Sequence, residues 1–93
     1  MKREKSDCLH LVLKAKWFDM ILTGEKKEEY REIKDYWTKR LYGHLLRYVV
    51  FHRGYTDNIM IFKIDTITAG YGNPDWGAPL TRTVYIIKLG MRV

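Results

Sequence analysis

Lys26, Glu29 and Arg31 fall within GEKKEEYR (24–31), eight residues that hold six charges of both signs. Two chemistries fit that set. The cations can hold a phosphate, the guanidinium supplying a planar two-pronged donor. The carboxylate between them can accept a hydrogen bond from the exocyclic amine of a base such as cytosine. The segment also reads as a charged connector whose residues pair with one another in water, each pair contributing less than ~1 kcal/mol. Spacing alone leaves both readings open.

Other residues offer weaker signals. His52 sits between Phe51 and Arg53 in an apolar run, where a histidine reads as structural, although it can shuttle protons near neutral pH. His10 and His44 have no partners at metal-ligand spacing, so no metal site and no cofactor are expected. Tyr55, Tyr71 and Trp76 lie in loop-like sequence, where aromatics either stack on bases or plug the ends of a barrel. Trp17 and Trp37 read as core-packing residues of helices. Arg53, Lys63 and Arg82 come from three different strands or strand ends and are expected to form a basic wall that meets a nucleic-acid backbone; a solvated scatter is the alternative.

The surrounding pattern names the elements that position these groups. Leu9, Leu11 and Leu13 alternate with His10, Val12 and Lys14, the period of a strand. In KAKWFDMILTG, Trp17 and Ile21, and Phe18 and Leu22, are four apart and share a helical face, with Gly24 placed for a left-handed cap. Lys14, Ala15 and Lys16 offer no N-cap. Glu29 and Arg31, and Glu28 and Tyr30, share faces if the segment is extended. KDYWTKRL predicts a short helix with Asp35 as its cap. RYVVFHR, IMIFKIDTIT and TRTVYIIKLGM predict strands, separated by GYTDN and by the Gly- and Pro-rich GYGNPDWGAP. Five extended segments and two helices predict an α+β fold, a small, mostly antiparallel β-barrel. No parallel sheet is expected, because the later strands join without helices.

With 93 residues, 46% of them hydrophobic, the chain predicts one folded domain over 8–93 behind a flexible segment at 1–7. The net charge of +6 is concentrated in the back part: residues 1–36 hold nine Lys/Arg and eight Asp/Glu, whereas 37–93 hold eight Lys/Arg and three Asp. Such a balance favours polyanionic partners. Cys8 is the only cysteine, which excludes an intramolecular disulfide and a cysteine-based zinc cluster. No apolar run suits a signal peptide or a membrane span, so a soluble, cytoplasmic protein without membrane association is expected.

Gly24, Lys26, Glu29 and Arg31 match G-x-K-x-x-E-x-R without a substitution, after a strand and an amphipathic helix. In this the chain resembles the ASCH domains, and PDWGAPLTRTVYIIKLG resembles the final loop and strand of small bacterial and phage members. The resemblance spans about Leu9 to Leu89. It implies a PUA-like barrel with Lys26, Glu29 and Arg31 lining a cleft that binds RNA or a nucleotide. Some family members are acetylcytidine amidohydrolases, in which the lysine at the position of Lys26 is catalytic, or ribonucleases; as a hydrolase, this chain would use Lys26 and Glu29 as catalytic residues, with Asp65 or Tyr30 assisting. The chain departs from the amidohydrolase pattern: position 29 holds an acid where that type has a threonine, and no glutamate follows Glu32. Carboxylates at 25, 28 and 29 also favour the ammonium form of Lys26, which suits a charged anchor better than a base. A domain that docks a protein partner is the third class that fits.

Overall fold

The computed structural model describes residues 7–43 and 45–93; apart from Asp7, the segment expected to be flexible at 1–7 lies outside the described residues, as does His44. The expected elements are present. They run β1 (Cys8–Leu13), α1 (Ala15–Leu22), β2 (Glu28–Arg31), α2 (Asp35–Tyr42), β3 (Tyr48–Arg53), β4 (Ile59–Gly70), a 3-10 turn (Pro74–Trp76) and β5 (Val84–Arg92).

The five strands form one sheet in the order β1-β3-β4-β5-β2. Three of its four pairings are antiparallel; β1 and β3 run parallel, with Leu11 beside Phe51. This corrects the expectation of no parallel pairing. The whole stretch from α1 to α2 lies between these two strands, which supplies the long crossover that parallel neighbours require. Register shifts around Ile64 bend the twelve-residue β4, and the sheet curls into a half-barrel rather than a closed one. Its two edges are β1 and β2.

Alternation sorts the side chains to two faces. Leu9, Leu11 and Leu13 of β1 join Val49, Phe51, Met60, Tyr85 and Ile87 on one face, where Phe18 and Ile21 of α1 and Leu41 of α2 complete the main core. Leu22 shares the helical face of Phe18 by spacing but is left half-exposed. On the opposite face the loop after β4 packs Ala78 and Trp76 against Tyr30, Val84 and Ile86.

Helix α1 stops as its sequence implies. Thr23 and Gly24 close the last turn through bonds to Asp19 and Ile21, and Gly24 adopts φ +87°. Helix α2 differs from expectation. Lys34 is the N-cap and makes no side-chain cap, while Asp35 is the first helical residue. There its charge still complements the helix dipole, as Lys39 and Arg40 do at the other end.

Candidate functional site

Strand β2 is an edge, and half of its backbone groups have no strand to pair with. Leu89 donates to Lys27, so the odd-numbered residues face β5, and the backbone of Glu28 and Tyr30 faces the open side. Two cations cover those carbonyls. The Lys26 ammonium donates to the Glu28 carbonyl, and Nη1 of Arg31 donates to the Tyr30 carbonyl at 2.8 Å. The exposed edge is thus blunted by the side chains the motif supplies.

The same two cations grip one carboxylate. Lys26 Nζ lies 3.0 Å from Oε1 of Glu29, and Nη1 of Arg31 donates to Oε2. Lys26 also donates to the carbonyl of Trp76 at 2.9 Å, so each of its three N–H groups has an acceptor. Its side chain has no exposed surface, and its charge lies 4.8 Å from the centre of the Tyr30 ring. Burial pulls the Lys26 amine below the ordinary lysine range, and Glu29 works against that shift. The three acceptors favour the ammonium.

Beside this chain of charges lies a cleft of about 340 Å³, lined by Val12, Leu13 and Lys14 at the end of β1, Trp17 of α1, Glu29, Tyr30 and Arg31 of β2, and Trp76 and Gly77 of the loop before β5. Its walls therefore include both sheet edges: the cleft occupies the seam that a closed barrel would zip shut. Gly77 leaves room for it. A side chain there would meet the Trp17 ring at 3.1 Å and would have to accept φ +100°.

The expected trio converges, but with unequal access. Glu29 and Arg31 reach the cleft; Lys26 does not line it and stands behind Glu29 as its support. This corrects the placement of Lys26 as a lining residue. Arg53, Lys63 and Arg82 form no wall here. Arg53 is held by Asp19 through two bonds of 3.0 Å, Lys63 and Arg82 are exposed, and none of the three lines the cleft. Asp65, suggested as a catalytic helper, faces Lys88 at 3.9 Å. The Tyr30 hydroxyl donates to Glu28 at 2.7 Å and accepts from the Asn73 N–H, so it is occupied, and burial pushes its pKa up.

Three further residues that the charge pattern does not single out contribute to the cleft. Trp17, expected in the core, touches the core and also lines the cleft. Trp76, expected either to stack on bases or to plug the barrel, lines the cleft and packs against the Tyr30 cluster, while Tyr55 and Tyr71 are exposed and do not line it. Lys14, which offers α1 no side-chain cap, also lines the cleft. Chemically, the site offers a carboxylate with two of its roughly four acceptor positions unused, guanidinium N–H groups beyond Nη1, an ammonium and two indoles.

Together, fold and site define a small α+β half-barrel domain with a polar, aromatic-walled cleft at its open seam. Comparison with known proteins finds no family model that matches the chain, and no match among curated proteins or solved structures. Among the described residues no helix is long and apolar enough to cross a membrane.

Proposed function

We propose that the protein is a PUA-like, ASCH-type module that binds RNA or a nucleotide in this cleft. The observation that carries the reading is the buried Glu29 carboxylate, fixed by two cations and lining a cleft whose walls include the Trp17 and Trp76 indoles. A planar base stacks against Trp17 or Trp76, and base–aromatic stacking contributes ~1–3 kcal/mol. Its exocyclic amine donates to Glu29, while Arg31 and Lys14 face the phosphate. Two lining cations, Lys14 and Arg31, against one lining carboxylate, Glu29, together with the chain's +6 charge, support an anionic ligand, and the G-x-K-x-x-E-x-R match agrees with that class. In this reading Lys26 positions Glu29 and does not touch the ligand.

The hydrolase alternative needs Lys26 as base or nucleophile. An ammonium with three acceptors and no exposed surface, screened from the cleft by Glu29, is poorly placed for either role. The binding reading therefore stands ahead of it.

Titration of nucleoside monophosphates and single-stranded RNA, followed by tryptophan fluorescence, tests the proposal. Affinity should fall as salt rises. Uridine ligands, which carry no exocyclic amine, should bind more weakly than cytidine ligands, by ~1–3 kcal/mol. Glu29→Gln should shrink that difference, and Arg31→Ala should weaken all ligands. Salt-insensitive binding, or none across these probes, would overturn the reading.

A further inference from the structure

A second cluster lies on the face of the sheet opposite the main core, and neither of its histidines lines the cleft. The parallel pairing of β1 with β3 sets Val12 beside His52 and His10 beside Val50, so the two histidines are diagonal neighbours on one face. Their rings approach closely: Nδ1 of His10 lies 3.0 Å from Nε2 of His52, with ring centres 5.3 Å apart and planes tilted by 36°. His10 is exposed and His52 partly so. One ring nitrogen donates to the other, and that contact consumes one proton and one lone pair.

We propose that His10 and His52 form a two-imidazole chelate for a divalent transition ion of the nickel(II) or copper(II) type. Two nitrogens 3.0 Å apart, each ~2.05 Å from a shared ion, subtend about 94° at it. That is close to the right angle of neighbouring ligands in tetragonal nickel(II) or copper(II) sites and well short of the tetrahedral angle zinc prefers. The ion takes the place of the bridging proton: the donating imidazole shifts to the tautomer that carries its N–H on the other ring nitrogen, and each ring turns by roughly 40° so that both facing lone pairs point at the ion. Among the described residues no cluster of three His, Cys, Asp or Glu side chains surrounds the site, so water fills the remaining positions. The bound ion ties the edge strand β1 to β3, and β1 continues through Val12 and Leu13 into the wall of the cleft. This inference does not depend on what the cleft binds.

The test is calorimetric titration of nickel(II) chloride into the chelator-treated full chain. Nickel(II) is chosen because it does not oxidise the Cys8 thiol. One ion should bind per chain. His10→Ala and His52→Ala should each weaken binding about tenfold or more, with unchanged circular dichroism showing that these surface variants fold. His44→Ala and Cys8→Ser should leave the affinity as it was. The chelate is refuted by no uptake, by either single variant binding as tightly as the wild type, or by a loss confined to His44→Ala or Cys8→Ser. Tighter binding of zinc(II) than of nickel(II) would refute the tetragonal assignment.

Discussion

Two charged constellations in this molecule use the same chemistry in different surroundings. Asp19 of α1 and Arg53 of β3 meet fork to fork, with two bonds of 3.0 Å, near the surface. Lys26, Glu29 and Arg31 meet at the edge of β2, with Lys26 and Glu29 withdrawn from water. The exposed pair loses little hydration when it forms and gains little. The buried chain gives up hydration and holds together only because nearly every donor is matched: carbonyls of Glu28 and Trp76 take the lysine protons that Glu29 does not. Ideal geometry therefore marks the surface pair as a fastener between helix and strand, whereas burial makes the other set a rigid support for one carboxylate.

Removing one member of each set should show the contrast at its largest. Lys26→Met leaves Glu29 with one cation fewer in a dry setting and strips two carbonyls of their donor. A loss of ~3–5 kcal/mol is expected, since breaking a buried pair leaves an uncompensated charge. Urea denaturation measures it. Adding Glu29→Gln to Lys26→Met should restore part of the loss by removing that charge. If Lys26→Met costs no more than an exposed substitution, the ammonium is not held as described. A ligand-binding loss without a stability loss would instead return Lys26 to the cleft as a direct contact.

Tyr30 supplies the next effect, because it links β2 to the loop that carries Trp76. Its hydroxyl accepts from Asn73 and donates to Glu28. Tyr30→Phe leaves the Asn73 N–H without that acceptor, at a cost of ~1–3 kcal/mol. Burial raises the Tyr30 pKa above its ordinary 10.0 in the folded state, so the folded chain keeps a proton that the unfolded chain releases. Stability should then fall as pH rises beyond 10, and Tyr30→Phe should remove that fall. Lys26 acts in the opposite sense. Its folded-state pKa is lowered, so the unfolded chain holds the proton longer, and stability should rise with pH until the ordinary lysine value of 10.5 is passed. Denaturation midpoints of wild type and Tyr30→Phe from pH 8 to 11 separate the two contributions.

Local pattern made much of this architecture legible. Period-two leucines announce β1, Gly24 announces the end of α1, and the pairs Glu28/Tyr30 and Glu29/Arg31 sort to two faces because β2 is extended. What pattern could not convey is which neighbours arrive from far along the chain. Lys26 looks like one charge among six, and it is buried because the carbonyl of Trp76, fifty residues later, comes to meet it. Arg53 looks free for phosphate until the fold brings Asp19 beside it. His10 and His52 lie 42 residues apart and touch only because β1 and β3 run parallel, the one pairing that strand order in the sequence argued against. Trp17 had a readable signal: a large amphipathic ring in the first turn of a helix, next to a strand end, stands where a sheet opens.

The smallest effect belongs to the surface fork, and its sign identifies it. Arg53 holds the Asp19 carboxyl below its ordinary 3.8, chiefly through the hydrogen bond between them. The folded chain therefore binds this proton less readily than the unfolded chain, so the contribution is present above pH 3.8 and is lost as pH falls through the lower folded value. Asp19→Asn should abolish that acid-side loss and change the neutral-pH midpoint less than Tyr30→Phe does. Molar salt should weaken the wild-type contribution, because the screening length falls to about 3 Å at 1 M, comparable to the separation of this exposed pair. The stability lost in Lys26→Met should persist in the same salt, since its charges meet out of water. If both losses fade together with salt, the buried chain is hydrated after all, and the contrast between the two sites collapses into a difference of degree.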